Sequence, residues 1–264
     1  MFEKSVDFAT GGVRRYARRA MLAQALGLVL LAASPAFSPA FAAGDVSQAG
    51  SSVSANAPPQ TGRTQGSPQK YANFGTESVS AEVTQVADWI VDSGDNQGMP
   101  FLMVDKVNAK VLMFDASGRL QGAAPALLGL ARGDDSTPGI GKRKLSSILP
   151  EERTTPAGRF VSSLDRSTHG MEILWIDYDA GIALHRVVAG TATEKRAQRL
   201  DSATSADNRI SYGCINVPVR FYEKIVSPAF TGTNGIVYIL PETRTAREVF
   251  GAYPVPTSPS HESP

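Results

Sequence analysis

The chain has 264 residues, an apolar fraction of 42%, 26 basic and 25 acidic residues, and a formal net charge of +1. So even a balance gives no electrostatic case for nucleic acid or an anionic membrane surface as partner. The length suits one or two domains, and a single cysteine excludes an internal disulfide.

The N-terminus has the three-part layout of a secretory signal peptide. Arg14, Arg15, Arg18 and Arg19 come first, then an apolar run from Met21 to Ala33, then the small-x-small site Ala40-Phe41-Ala42. The run is shorter than the ~20 residues of a membrane-spanning helix, so residues 1–42 are read as removed on export, without a transmembrane anchor. No cysteine near the site offers a lipid anchor. Cleavage would leave 21 basic and 23 acidic residues, a net charge of −2. Residues 43–77 are Ser, Gly, Gln, Pro and Ala with few large apolar side chains, which predicts a disordered linker. The same reading applies to the tail, 243–264. The folded domain is expected over 78–242.

Within it, "SAEVTQVADWIVDSG" from Ser80 carries apolar residues at helical spacing, a serine cap and a terminating Gly94. Two apolar runs in 101–120 predict a hairpin, and "PALLGLA" (125–131) a third strand. Residues 132–160 are polar, rich in Gly and Pro, and read as a long functional loop. "EILWIDYDAGIALHRVV" (172–188) is a hairpin around "DAG". A second polar loop covers 189–208. Pro218 suits a first helical turn, Phe221, Tyr222, Ile225 and Val226 share a face, and Pro228 is expected to stop that helix. "GIVYILPE" (235–242) is a final buried strand. The sum is a mainly β domain with two helices, a curled mixed sheet or sandwich.

The one cysteine, Cys214, lies in "NRISYGCINVP" (208–218). An inert buried thiol, an intermolecular disulfide and a reactive thiol all fit a lone cysteine in an exported chain. Gly213 and Ser211 on one side and a helix start on the other predict a strand-to-helix bend. Its backbone donors would lower the thiol pKa below the free value of ~8.5 and hold an oxyanion. Of three histidines, His261 falls in the tail and His169 on a loop. His185, on the strand "GIALHRV", is the candidate base, expected within ~3–4 Å of the thiol.

"SYGCIN" resembles the Ser/Thr-His-Gly-Cys-x-Asn signature of L,D-transpeptidase catalytic domains, the YkuD-like fold. "TTPAGRF" (154–160), "IALHR" and "VDKVNAKVLMFDASGRL" resemble further family segments in the right order, over roughly residues 101–241. The resemblance implies an L,D-transpeptidase-like β fold whose cysteine acts on peptidoglycan stem peptides in the periplasm or cell envelope. It implies Cys214 as nucleophile, His185 as base, and oxyanion donors at Gly213 and Cys214. Ser211 and Asn216 would shape the bend. The imidazole would be oriented by the next residue, Arg186, whose side chain has no acceptor, so only its carbonyl serves. No metal or cofactor is implied, and a monomer is expected. Two features depart from the pattern: Tyr212 replaces the motif histidine, and "AGTATEKRAQRLDSATSADN" inserts before Ser211, where it should lie over the site. The same thioester chemistry with water or a protein amine as acceptor, and a non-catalytic wall-binding module, are the competing readings.

Overall fold

The described chain, residues 71–256 of a computed structural model, is built on a helix and a curled sheet. Helix α1 (Ala81–Ser93) starts where Ser80 accepts a hydrogen bond from the Val83 N–H, and ends at Gly94 in the left-handed conformation. Its inward stripe of Val83, Val86, Ala87 and Ile90 is fully buried.

Ten strands follow: β1 (Phe101–Asp105), β2 (Lys110–Phe114), β3 (Leu120–Pro125), β4 (Leu128–Gly129), β5 (Gly158–Arg166), β6 (Glu172–Asp177), β7 (Ile182–Arg186), β8 (Arg209–Ser211), β9 (Ile215–Val217) and β10 (Gly235–Ile239). Eight of them form one sheet in the order β3-β2-β1-β10-β5-β6-β7-β9, and β4 pairs with β8. β1 runs parallel to β10 and β7 parallel to β9; the other neighbours in the large sheet are antiparallel. The sheet curls until its edges are tied by the residues just after β3. Leu127 exchanges two backbone hydrogen bonds with Asn216 of β9, at 2.8 and 2.9 Å.

Two apolar layers explain why β1, β2 and β10 read as continuous hydrophobic runs. Alternate side chains point to opposite faces, and both faces are covered. Phe101, Met103, Leu112, Phe114 and Tyr238 pack with α1. Leu102, Val104, Val111, Met113 and Val237 fill the inside of the curl. That inner layer is closed by a composite helix: α2 having already formed at Arg196–Leu200, the chain continues as α3 (Val219–Phe221), a π-helical turn (Tyr222–Val226) and α4 (Ser227–Phe230). A last helix, α5 (Ala246–Phe250), lies against α1, with Phe250 stacked on Trp89.

Several expectations need correction. The run 125–131 is split between the end of β3 and the two-residue β4. The end of the loop read at 132–160 is strand: residues 158–160 begin the nine-residue β5, which runs on through 161–166 and pairs with both β10 and β6. Pro228 does not stop the helix. The preceding turn widens to π geometry, and the helix runs on to Phe230. The domain exceeds 78–242 at both ends. Ala72 and Phe74 are buried, and residues 243–256 include α5 and a buried Ala252. Scattered apolar residues in polar surroundings hide these anchors. The export segment read at 1–42, residues 43–70 of the linker reading and residues 257–264 lie outside the described residues. Among those described, no helix is long and apolar enough to cross a membrane.

Candidate active site

Cys214 sits in the three-residue turn between β8 and β9, not at a helix start. α3 begins five residues later, with Pro218 as its cap. The local sequence makes this turn. Ser211 Oγ accepts from the Gly213 N–H (3.1 Å) and donates to the Cys214 carbonyl (2.6 Å). Gly213 has φ +131°, and a Cβ there would lie 2.7 Å from the Thr154 carbonyl oxygen and 2.8 Å from Ile182 Cδ1. Only glycine fits.

The segment "TTPAG" holds the turn from behind. Thr155, fully buried, donates from Oγ1 to the Gly213 carbonyl at 2.8 Å and accepts from the Gly129 N–H at 2.9 Å. Its own carbonyl accepts from Lys106 Nζ at 3.0 Å. Lys106 belongs to a buried charge network in which Asp134 and Glu242 meet Lys106 and Arg209. The quoted motif was visible in the sequence; the job of Thr155 within it was not.

His185 projects from β7. Because β7 and β9 run parallel with His185 level with Asn216, continuing the register puts Cys214 level with Ala183. His185 and Asn216 share one sheet face, and Cys214 precedes β9 in the turn, with its sulfur against the β7 backbone. The imidazole stands two residues along the neighbouring strand from the thiol, about 6–7 Å along and ~5 Å across at the backbone. That gap is of the size two side chains bridge. Nδ1 of His185 lies 2.8 Å from the Arg186 carbonyl oxygen, which places the proton on Nδ1 and leaves Nε2 as the acceptor. The Arg186 side chain turns to the other face. It meets Glu223 at 3.1 Å and lies 4.3 Å from the Tyr222 ring centre.

No hydrogen bond joins Sγ to the His185 ring, against the ~3–4 Å approach expected from the sequence. Sγ instead faces the Gly181 carbonyl at 3.6 Å. Burial raises the Cys214 pKa above its ordinary value, opposed by the Ala183 N–H and the charge of Arg196. This reverses the expected direction, for a physical reason: the helix terminus invoked to stabilise the thiolate is not at the thiol. Burial also lowers the His185 pKa; the Arg186 carbonyl opposes this and Arg196 adds to it. The pair is therefore thiol and neutral imidazole at rest.

The insertion at 189–208 carries a residue with no signal in the sequence. Arg196, at the start of α2, donates from one terminal nitrogen to Asn216 Oδ1 at 3.1 Å. Asn216, 1% exposed, donates in turn from Nδ2 to the Cys214 carbonyl at 3.3 Å. Tyr212 is half-buried and lies under the Arg153 guanidinium, 3.9 Å from the ring centre. The Gly213 N–H, assigned to an oxyanion from the sequence, is engaged by Ser211. His169 is exposed on the β5–β6 connection.

No protein-family model matches the chain, and no curated protein matches it by sequence. Similar solved structures include an L,D-transpeptidase (residues 123–326) from Xylanimonas cellulosilytica, at 15% identity and a TM-score of 0.32, covering 53% of this chain and 60% of that one. A cysteine-to-serine variant of the Enterococcus faecium L,D-transpeptidase is 16% identical with a TM-score of 0.30, over 54% and 50% of the two chains. The catalytic domain of the E. faecium enzyme is 18% identical with a TM-score of 0.28, over 53% and 95%. The chain thus spans 60% and 50% of the length of the first two.

Proposed function

We propose that this protein is a cysteine acyltransferase of the L,D-transpeptidase kind, acting on peptidoglycan stem peptides after export to the cell envelope. The observation that carries the reading is the placement of one thiol in a turn locked by Ser211, Gly213 and Thr155. The turn leads directly into β9, which pairs with the strand carrying an imidazole whose Nδ1 is committed to a backbone carbonyl.

Rotation of the Cys214 side chain away from Gly181 brings Sγ–H toward Nε2 of His185. Nε2 takes the proton as sulfur attacks the carbonyl carbon of a diamino-acid residue in the donor stem. The negative oxygen is met by the Cys214 N–H, since the Gly213 N–H is held by Ser211. Collapse breaks the C–N bond. The leaving D-alanine nitrogen takes the proton from the imidazolium, and a thioester remains on Cys214. An amine of a second stem then attacks. His185 accepts its proton, the C–S bond breaks, and the thiolate recovers that proton. A neutral resting pair suits this order, because Nε2 is free to act as base without first losing a proton.

The test is incubation with stem tetrapeptides, with chromatography and mass spectrometry of products. Release of D-alanine with formation of a cross-linked dimer is expected. Release with tripeptide alone would make water the acceptor, and no release with either would overturn the reading.

A further inference from the structure

The insertion that carries Arg196 is organised around that side chain. Glu194 binds it on one edge, with Oε2 2.9 Å from Nε and Oε1 3.3 Å from a terminal nitrogen. Glu194 is itself fixed by the Thr191 N–H at 3.1 Å, and its carbonyl accepts from Arg199 at 2.8 Å. Gly190, at φ +64°, has no room for a side chain. A Cβ there would lie 2.0 Å from Glu194 Oε2 and 2.9 Å from Arg196 Nε. With Asn216 on its other terminal nitrogen, the guanidinium uses three of its five N–H groups. One N–H on each terminal nitrogen has no partner among the described residues. The side chain is 13% exposed, and its charge is felt by both Cys214 and His185.

A nearly buried guanidinium with two unused donors, joined through Asn216 to the Cys214 carbonyl, matches one chemical group in particular. A carboxylate takes two parallel N–H bonds from an arginine fork. In a donor whose leaving group is a C-terminal amino acid, a carboxylate lies two bonds from the scissile nitrogen. It must therefore sit within a few ångströms of the carbonyl carbon that Cys214 attacks. We infer that Arg196 is the binding site for the free C-terminal carboxylate of the donor peptide, so that the insertion selects stems ending in an unblocked residue over internal amide bonds. Glu194 and Asn216 hold the fork in place. This inference rests on the proposed donor chemistry, but it concerns binding and is measurable without turnover.

The experiment uses the full chain with Cys214→Ser, to remove chemistry, with and without Arg196→Gln. Titration calorimetry measures binding of a stem tetrapeptide as its free acid and as its C-terminal amide, which removes only the terminal carboxylate. The free acid is expected to bind at least tenfold tighter than the amide, and Arg196→Gln to reduce that ratio to about one. Unchanged melting of Arg196→Gln keeps the loss from being one of folding; should it melt early, Arg196→Lys takes its place and is expected to reduce the ratio by at least threefold. A ratio near one in the parent, a ratio that survives substitution of Arg196, or no binding of the free acid would each overturn the assignment. If the parent discriminates and yet the protein with Cys214 intact forms no acyl-enzyme, the carboxylate site stands and the acyl-transfer reading falls.

Discussion

The Cys214 sulfur is governed by its surroundings more than by its sequence neighbours. Dense packing raises its pKa, and the nearest helix start is five residues away. Iodoacetamide labelling against pH should therefore show a midpoint above the ~8.5 of a free thiol. A midpoint below that value would mean a resting thiolate. His185 has the opposite shift, downward through burial, and it must be neutral to act as base. Acylation should consequently persist as pH falls to the ordinary imidazole value of ~6.5 and decline only below it. His185→Ala should slow acylation by 10²-fold or more, as read by single-turnover mass spectrometry. The same variant should leave the labelling midpoint nearly in place, because a neutral ring contributes little charge. Cys214 and His185, the candidate nucleophile and base, and the turn glycine Gly213 were legible as candidates because lone cysteines, strand histidines and glycines are conspicuous. Arg196 was not, since one arginine among many in a polar loop carries no mark of where it will reach.

Elements hold these side chains through a few buried backbone contacts. Thr155 links β4 to the Cys214 turn, through the Gly129 N–H and the Gly213 carbonyl. Thr155→Val keeps the volume and removes the hydroxyl, leaving both groups unpaired in a dry site. The expected cost is about 2–4 kcal/mol, a fall in Tm of roughly 6–12 °C for a domain of this size. The acylation rate should fall with it even at a temperature where the variant is folded, because the turn loses its brace. A variant as stable and as reactive as the parent would show that the hydroxyl is dispensable. At this scale, α1 and the hairpins β1–β2 and β6–β7 were readable from periodicity and caps. β5 was not, for its pairing with β10 and β6 compensates for a sequence of Gly, Arg, Ser and Asp. Helix α2 was missed because its five residues sit in a polar stretch with no side-chain cap. The helix beyond Pro228 was missed because a π turn offsets what proline removes.

Across the molecule, one buried charge network ties the strand-to-loop junctions behind the site. Lys106 Nζ, fully buried, bonds Asp134 at 2.7 Å, the Gly133 carbonyl at 2.6 Å and the Thr155 carbonyl at 3.0 Å. Asp134 also accepts the backbone N–H groups of Glu242, Thr243 and Arg244. Such links join distant parts of the chain and leave no periodic trace, so nothing in the sequence announced them. Burial alone would push the Asp134 carboxyl up, but bonds from Lys106, Thr243 and Glu242 hold it well below the usual carboxylate range. A depressed carboxylate pKa contributes stability above its unfolded value of ~3.9, which is lost as pH falls toward the folded value. Thermal melts should therefore be flat in this respect from pH 7 to 5 and drop below about pH 4. Lys106→Met, which leaves Asp134 without its buried cationic partner, should cost about 3–5 kcal/mol at pH 7. The loss should shrink in acid as Asp134 protonates. The network, the Thr155 brace and the β7–β9 register together hold the turn of one thiol beside the strand of one imidazole. The measurement that meets this claim most directly is the intact mass of the protein after brief incubation with a stem tetrapeptide, for the parent, Cys214→Ala and His185→Ala. A thioester adduct on the parent, lacking the mass of D-alanine and mapping to the peptide that contains Cys214, is predicted, with none on Cys214→Ala and a much slower one on His185→Ala. An adduct on Cys214→Ala, or none on the parent, would contradict it.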